Sequence, residues 1–237
     1  MKVLFTDIFN PNTLNVFVDA SIKKININGI EETIGCPGYV VVACNDNYHL
    51  SVLDSGQTIL RNSTNNESEI SAIKLGMQKI LEYRKDYDII NLFSDSKICI
   101  FGLREWIFKW IVCQDEGILY GSSGVVSNQE IFKSIIKMII DNDIYVNLYH
   151  QKGHVSTDSK IPNAINVFEV SNNIKCDFRT MKILSMYNDM VDKDTKRYLN
   201  LFVSKGLSNE INTRNPYTLH LDKYNVIKKY SKLIGGK

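Results

Sequence analysis

Hydrophobic positions along this 237-residue chain switch between two periods, and the switches outline its elements. Asn15-Val16-Phe17-Val18-Asp19-Ala20-Ser21 is a short apolar run ending on a carboxylate, and 38–44 (Gly-Tyr-Val-Val-Val-Ala-Cys) is rich in β-branched residues; both read as buried strands. After the turn Asn45-Asp46-Asn47 a third strand starts at 49–53, closing an antiparallel meander, and 57–60 is a further short strand segment. Residues 23–35 between the first two strands are polar and read as turn. At Asn66 the period becomes helical: Ile70, Ile73, Met77, Ile80 and Leu81 share one stripe, and Ala72 and Gly76 are small enough to let a sheet come close. Asn66 reads as the N-cap of that helix, with Glu69 three residues on. Residues 88–95 form a second apolar run ending on a carboxylate, Asp95; reached through a helix, this strand runs parallel to the first. A helix over 98–112 carries Trp106 and Trp110 on one face, 114–127 is a Gly- and Ser-rich loop, 128–141 is an amphipathic helix, and 144–149 is the last strand. The order predicts an α/β fold with a mixed five-stranded sheet, a three-strand meander plus parallel strands, flanked by helices. One domain over 15–203 is expected, with an extension at 1–14 and a basic tail at 204–237 containing Lys223, Lys228, Lys229, Lys232 and Lys237.

Composition narrows the class without choosing the chemistry. Apolar residues at 44% and charged residues at 23% are ordinary for a soluble globular chain. No apolar run reaches the length of a membrane span, and Met1 to Asp7 is too short and too charged for a signal peptide. The five cysteines include no CxxC pair, which argues for reduced thiols in a cytoplasmic compartment and against a disulfide frame or a zinc site. A formal charge of +2 neither demands nor excludes nucleic acid.

The strand ends carry the chemistry. One Asp closing a strand is ordinarily a turn residue, but Asp19 and Asp95 close two adjacent parallel strands, and Glu69 opens the helix packed over them. Three acids converging in this way repel one another unless a cation or a proton is held among them. Oxygen-only ligands suit Mg²⁺ or Mn²⁺, and a pair of such ions activates an attacking water and stabilises the leaving oxygen of a phosphodiester. No GxSxG motif occurs, and no Cys stands beside a His, so a covalent nucleophile is not indicated.

Asn15-Val-Phe-Val-Asp19-Ala-Ser, Thr64-Asn-Asn-Glu-Ser-Glu69, Phe93-Ser-Asp95-Ser and Lys152-Gly-His154, in that order, resemble the successive signatures of ribonuclease H of the cellular and retroviral type. The element order, the Trp106/Trp110 pair and Asn128-Gln-Glu fit the same pattern, over roughly 15–192. The resemblance implies Asp19, Glu69 and Asp95 as ligands of two Mg²⁺ or Mn²⁺ ions, with Asp19 bridging, and His154 on a loop assisting proton or product departure. It also implies an Asn-x-x-x-Asp opening the last helix. The best match is Asn188 to Asp192, ahead of a helix over 193–203; Asp192 then serves as the fourth ligand only if 156–186 is an insertion with a helix near 164–172. Asp158, Glu169, Asp177 and Asp189 compete for that role.

Such enzymes cut the RNA strand of an RNA–DNA hybrid, reading 2′-hydroxyls on one strand and shape on the other. The resemblance implies Asn65 and Asn66 near the cut and Thr64 with Asn128 at a phosphate of the DNA strand. Glu67 stands where several relatives carry Arg, with Arg61 the nearest substitute. The loop 114–127 holds Asp115 and Glu116 but no Lys or Arg, so grip on the hybrid is expected to be weak or to depend on a partner, docked through the inserted segment. A monomer is expected. A catalytically silent nucleic-acid-binding module and a DNA-cutting resolvase- or transposase-like nuclease are the rival readings.

Overall fold

The computed structural model describes residues 8–27, 29–155, 157–205 and 221–235. Expectations that fall on 1–7, on Ser156 where the insertion begins, and on most of the tail, including Lys237, lie outside the described residues.

Strands β1 (Thr13–Ile27), β2 (Ile30–Cys44) and β3 (Leu50–Gln57) form the antiparallel meander. β4 (Leu60–Arg61) adds a short pairing to β2. Helix α1 (Asn65–Tyr83) then returns the chain to β5 (Ile89–Ser94), which lies parallel to β1 as the crossover requires. Helix α2 (97–112), a two-strand ribbon of β6 (Tyr120–Gly121) and β7 (Gly124–Val125), and α3 (Gln129–Asp141) lead to β8 (Val146–His150), parallel to β5. Beyond it lie α4 (Ile161–Asn172), α5 (Phe178–Ser204), α6 (225–233) and β9 (Ile234–Gly235), the last parallel to β8. The sheet order is β3-β2-β1-β5-β8-β9, with β4 on β2. Among the described residues no helix is long and apolar enough to cross a membrane.

Both faces of the sheet are covered, and strand alternation sorts the side chains between them. Leu14, Val16 and Val18 face α1 and α3, meeting Ile70, Ile73, Met77, Ile135 and Ile139. Gly76 lets α1 descend onto β1: a Cβ there would stand 2.6 Å from Val18 Cγ1. The opposite face presents rungs that run across β1, β5 and β8 in register. Asn15, Asn91 and Asn147 make one rung, joined by amide hydrogen bonds of 2.9 Å. Phe17, Phe93 and Tyr149 make the next, with ring centroids 4.8 and 5.3 Å apart, covered by Phe168 of α4 and Tyr187 of α5. Two residues further on along β1 and β5 stand Asp19 and Asp95.

The architecture departs from the sequence reading in five places. Five strands make the body of the sheet, but the short β4 and β9 extend it to seven. Residues 23–35 are not a turn: β1 and β2 continue through them as a hairpin, because Ile25 and Ile34 bury against Ile59 and Leu199 while the polar positions face water. Thr64, not Asn66, caps α1, its hydroxyl accepting from the Glu67 amide; Thr64 and Glu67 therefore have the spacing of a capping box, and Glu69 is left out of the cap. No separate helix begins after Asp192. Asp177 caps a continuous α5, accepting from the Thr180 amide, and the stripe Met181, Leu184, Tyr187, Val191, Leu199 runs unbroken past Asp192. The described part of the tail does not stand apart from the domain: Leu221, Val226, Tyr230 and Ile234 are buried against α2, α3 and β8, while Lys223, Lys228 and Lys232 stay exposed on the other side.

Candidate active site

Asp19 stands in mid-β1, one residue past Val18 where the parallel pairing with β5 ends, so it does not close its strand; Asp95 follows the end of β5, and Glu69 comes down from the second turn of α1. One ligand oxygen from each lies within 4.8 Å of the others. The capping chemistry explains how Glu69 becomes available. Thr64 and Glu67 satisfy the helix end, and Glu69 Oε2 is buried without a hydrogen-bond partner. An unpartnered buried carboxylate oxygen is costly unless a proton or a cation meets it.

The electrostatics follow from that crowding. Burial, then Asp95, raises the Asp19 carboxyl from 3.8 to about 8, against the lowering effect of the Ala20 amide. Burial, then Asp19 and Asp95, raises Glu69 from 4.5 to about 9. Asp95 is raised too, by burial above all, while His154 and a hydrogen bond from Asn188 pull it back. Near neutral pH these raised carboxyls hold protons, and a divalent ion would replace them. Three converging oxygens with open positions suit Mg²⁺ or Mn²⁺.

Asp192 faces the cluster from the middle of α5, not from a helix start. It lines the same cavity, of about 420 Å³, as Asp19, Asn65, Glu69, Asp95 and His154. His154 follows β8 in a left-handed conformation (φ 56°), its side chain 72% exposed and its Nδ1 3.8 Å from Asp192 Oδ2. The competing acids are engaged elsewhere: Asp158 with Lys182, Glu169 with Lys175, and Asp177 at its cap; Asp189 does not line the cavity.

The remaining predicted residues divide between two hollows. Asn65 lines the acid cavity. Asn66 and Asn128 line a neighbouring groove of about 510 Å³ with Trp106, Lys109, Trp110 and Phe132. Asn128 heads α3 at φ 56° and its side chain makes no capping bond. The Thr64 hydroxyl is engaged in its cap. The two tryptophans, 6.1 Å apart, are half-buried in the groove wall. Arg61 pairs with Glu32 at 3.8 Å.

A family model for RNase H matches residues 11–183. The chain belongs to the RNase H family. Asp19, Glu69, Asp95 and His154 fall inside the matched span, and Asp192 lies beyond it. The ribonuclease H of Ruthia magnifica subsp. Calyptogena magnifica is 32% identical over 99 residues, which are 41% of this chain and 62% of that protein. That of Wolbachia pipientis wMel is 31% identical over 83 residues, 35% of this chain and 52% of the relative. The matched part thus spans about half to six-tenths of these curated relatives. The solution structure of the PFV RNase H domain superposes with a TM-score of 0.50 at 18% identity, covering 67% of this chain and 90% of that one, which shows a shared fold.

Within this RNase H fold, three residues matter that motif reading left without a role. Gly153 passes so close to Asp95 that a Cβ would stand 2.0 Å from Oδ2. Asn188 links Asp95 to Gln151, whose Nε2 donates to its Oδ1 at 2.7 Å. Lys196 reaches into the acid cavity beside Asp192. Gly153 and Asn188 lie inside quoted signatures; Lys196 was signalled only by its spacing of four from Asp192 on a helix.

Proposed function

We propose that this RNase H-family chain is a metal-dependent endoribonuclease that hydrolyses the RNA strand of RNA–DNA hybrids. The observation that carries the reading is the convergence of Asp19, Glu69 and Asp95 within 4.8 Å where β1 and β5 part, with Glu69 Oε2 buried and unpaired. Asp19, Glu69, Asp95 and Asp192 would hold two ions, Mg²⁺ or Mn²⁺. When bound, these supply an activated water and charge neutralisation at the leaving oxygen. The chain's residues do the rest. Asp19, between β1 and the other acids, orients the centre, and its amide-bonded oxygen resists rotation. Gly153 leaves the Asp95 carboxylate room, and Asn188 holds it from the α5 side. His154, exposed at the rim beside Asp192, is placed to carry a proton toward the departing 3′ oxygen. Asn65 and Asn66 bracket the two hollows, so a duplex over them would bring one strand to the acids and lay the other along the Trp106/Trp110 groove, with Asn128 at a phosphate. The protein acts as a soluble monomer in this reading.

Incubation of the purified chain with a labelled RNA–DNA hybrid in Mg²⁺ or Mn²⁺, beside Asp19→Asn and Asp95→Asn, tests it. Cleavage confined to the RNA strand, and lost in both variants, is the expected result. Equal cutting of duplex DNA would transfer the reading to a DNA nuclease, and binding without any cutting would make the chain a silent module.

A further inference from the structure

The acid cavity contains a cation that belongs to the chain. Lys196 lies one helical turn beyond Asp192 on α5, with Nζ 2.7 Å from Asp192 Oδ2. Both side chains line the cavity that holds Asp19, Glu69, Asp95 and His154. Asp192 stands outside the tight three-acid set, yet its charge opposes ionisation of Asp19, Glu69 and Asp95 alike, and Lys196 favours ionisation of Asp19. The ammonium therefore sits within electrostatic reach of both Asp192, which it touches, and Asp19, whose ionisation it favours. The oxygen it occupies is the one that also faces His154 at 3.8 Å.

We propose that Lys196 holds the place of the second cation at Asp192. The chain then takes one divalent ion readily at Asp19, Glu69 and Asp95, and admits a second only by displacing the Lys196 ammonium. This inference rests on the metal-centre reading above and adds to it a residue that sets the concentration at which the centre fills.

The physical argument is one of competing charges. Asp192 is largely buried, with 14% of its side chain exposed, so its charge needs a counter-ion in the metal-free chain. Lys196 supplies one from a flexible four-carbon stem that is 53% exposed. The lysine side of the pair is half-exposed and open to screening by water, so the ammonium neutralises Asp192 without locking the site. A divalent ion arriving there meets a carboxylate already half-neutralised, and the nearby positive charge repels it. Removing the ammonium removes both obstacles. Arg at 196 would keep them, since its charge is permanent.

The test counts bound ions and needs no turnover. Mn²⁺ uptake by the full chain is followed by calorimetry and by the electron paramagnetic resonance signal of free Mn²⁺, for the wild type, Lys196→Met, Lys196→Gln, Lys196→Arg and Asp192→Asn. Thermal melts confirm that each is folded, as expected for changes at a half-exposed side chain. The wild type should bind one ion in a first phase and a second only at clearly higher Mn²⁺. Lys196→Met and Lys196→Gln should bring the second phase down by on the order of tenfold, Lys196→Arg should leave it in place, and Asp192→Asn should abolish it while sparing the first. A second phase unmoved or weakened in both neutral variants, or two equal sites in the wild type, overturns the role of Lys196 and leaves the metal centre standing. No uptake by any protein overturns the metal centre itself, and this inference with it.

Discussion

Burial penalises the ionised forms of Asp19 and Glu69, so under the proposed function the two carboxyls serve the chemistry at a cost to the stability of the metal-free chain. The unfolded carboxyls ionise near 3.8 and 4.5 and the folded ones at about 8 and 9. Between those limits the unfolded chain binds fewer protons, so the stability that these two carboxyls contribute to the metal-free chain is fully present below about pH 4 and is lost as pH rises through about 8 to about 9. Asp19→Asn should therefore melt higher than the wild type at pH 7.5 in EDTA, lose that advantage near pH 4, and cut no hybrid at any pH; scanning fluorimetry with a cleavage assay checks all three. Addition of Mn²⁺ should raise the wild-type melting temperature more than that of the variant. Gly153 gives a second test at this scale. Its φ is one that alanine adopts, so the objection to a side chain is contact with Asp95 alone. Gly153→Ala should leave the melting curve in EDTA nearly unchanged and lower kcat on the order of a hundredfold through misplacement of that carboxylate.

Elements turn these side chains into a site by register. Parallel pairing of Phe17 with Phe93 carries Asp19 and Asp95 to the same height, and the Asn15–Asn91–Asn147 rung below them fixes that pairing with side-chain hydrogen bonds. Asn91 is fully enclosed, donating to one neighbour and accepting from the other. Asn91→Ala strands both partners and should cost about 2–4 kcal/mol in a urea titration. Helix α2 shows a comparable linkage: its π-helical turn, Gly102–Trp106, rotates Arg104 inward, where the guanidinium donates to Leu148 O, Asn172 Oδ1 and Ser171 O. Asn172 in turn bonds the backbone of His150 in both directions, so α4 is tied to the strand next to Asp95.

For the whole molecule, closure depends on a segment far along the chain from the acids. Tyr230 is fully buried, stacks near Phe108 and donates to Leu103 O at 2.8 Å, and β9 then pairs with the start of β8, the end away from the acids. Tyr230→Ala should lower stability by about 3–5 kcal/mol, measured by urea titration. Hybrid cleavage assayed well below the melting temperature should change little, since the lost contacts lie away from the carboxylates.

The apolar runs at 15–19 and 88–95 and the helical stripe at 70–81 announced the central strands, the crossover helix and three of the acids, because those features arise from short-range patterning and from carboxylates that cannot be buried without a partner. Other features were hidden in the string for the opposite reason. The hairpin through 23–35 depends on Leu199 to cover Ile25 and Ile34, the burial of Val226 and Tyr230 within the lysine-rich end depends on α2 and α3, and the meeting of Asp192 with Asp19 depends on a helix passing over the sheet. Such pairings cost loop-closure entropy and are selected by long-range packing. Local pattern therefore specified which acids stand on and beside the central strands, while the three-dimensional arrangement decided which helix brings a fourth acid to them, that Glu69 is left free of the helix cap, and that a lysine stands beside that fourth acid.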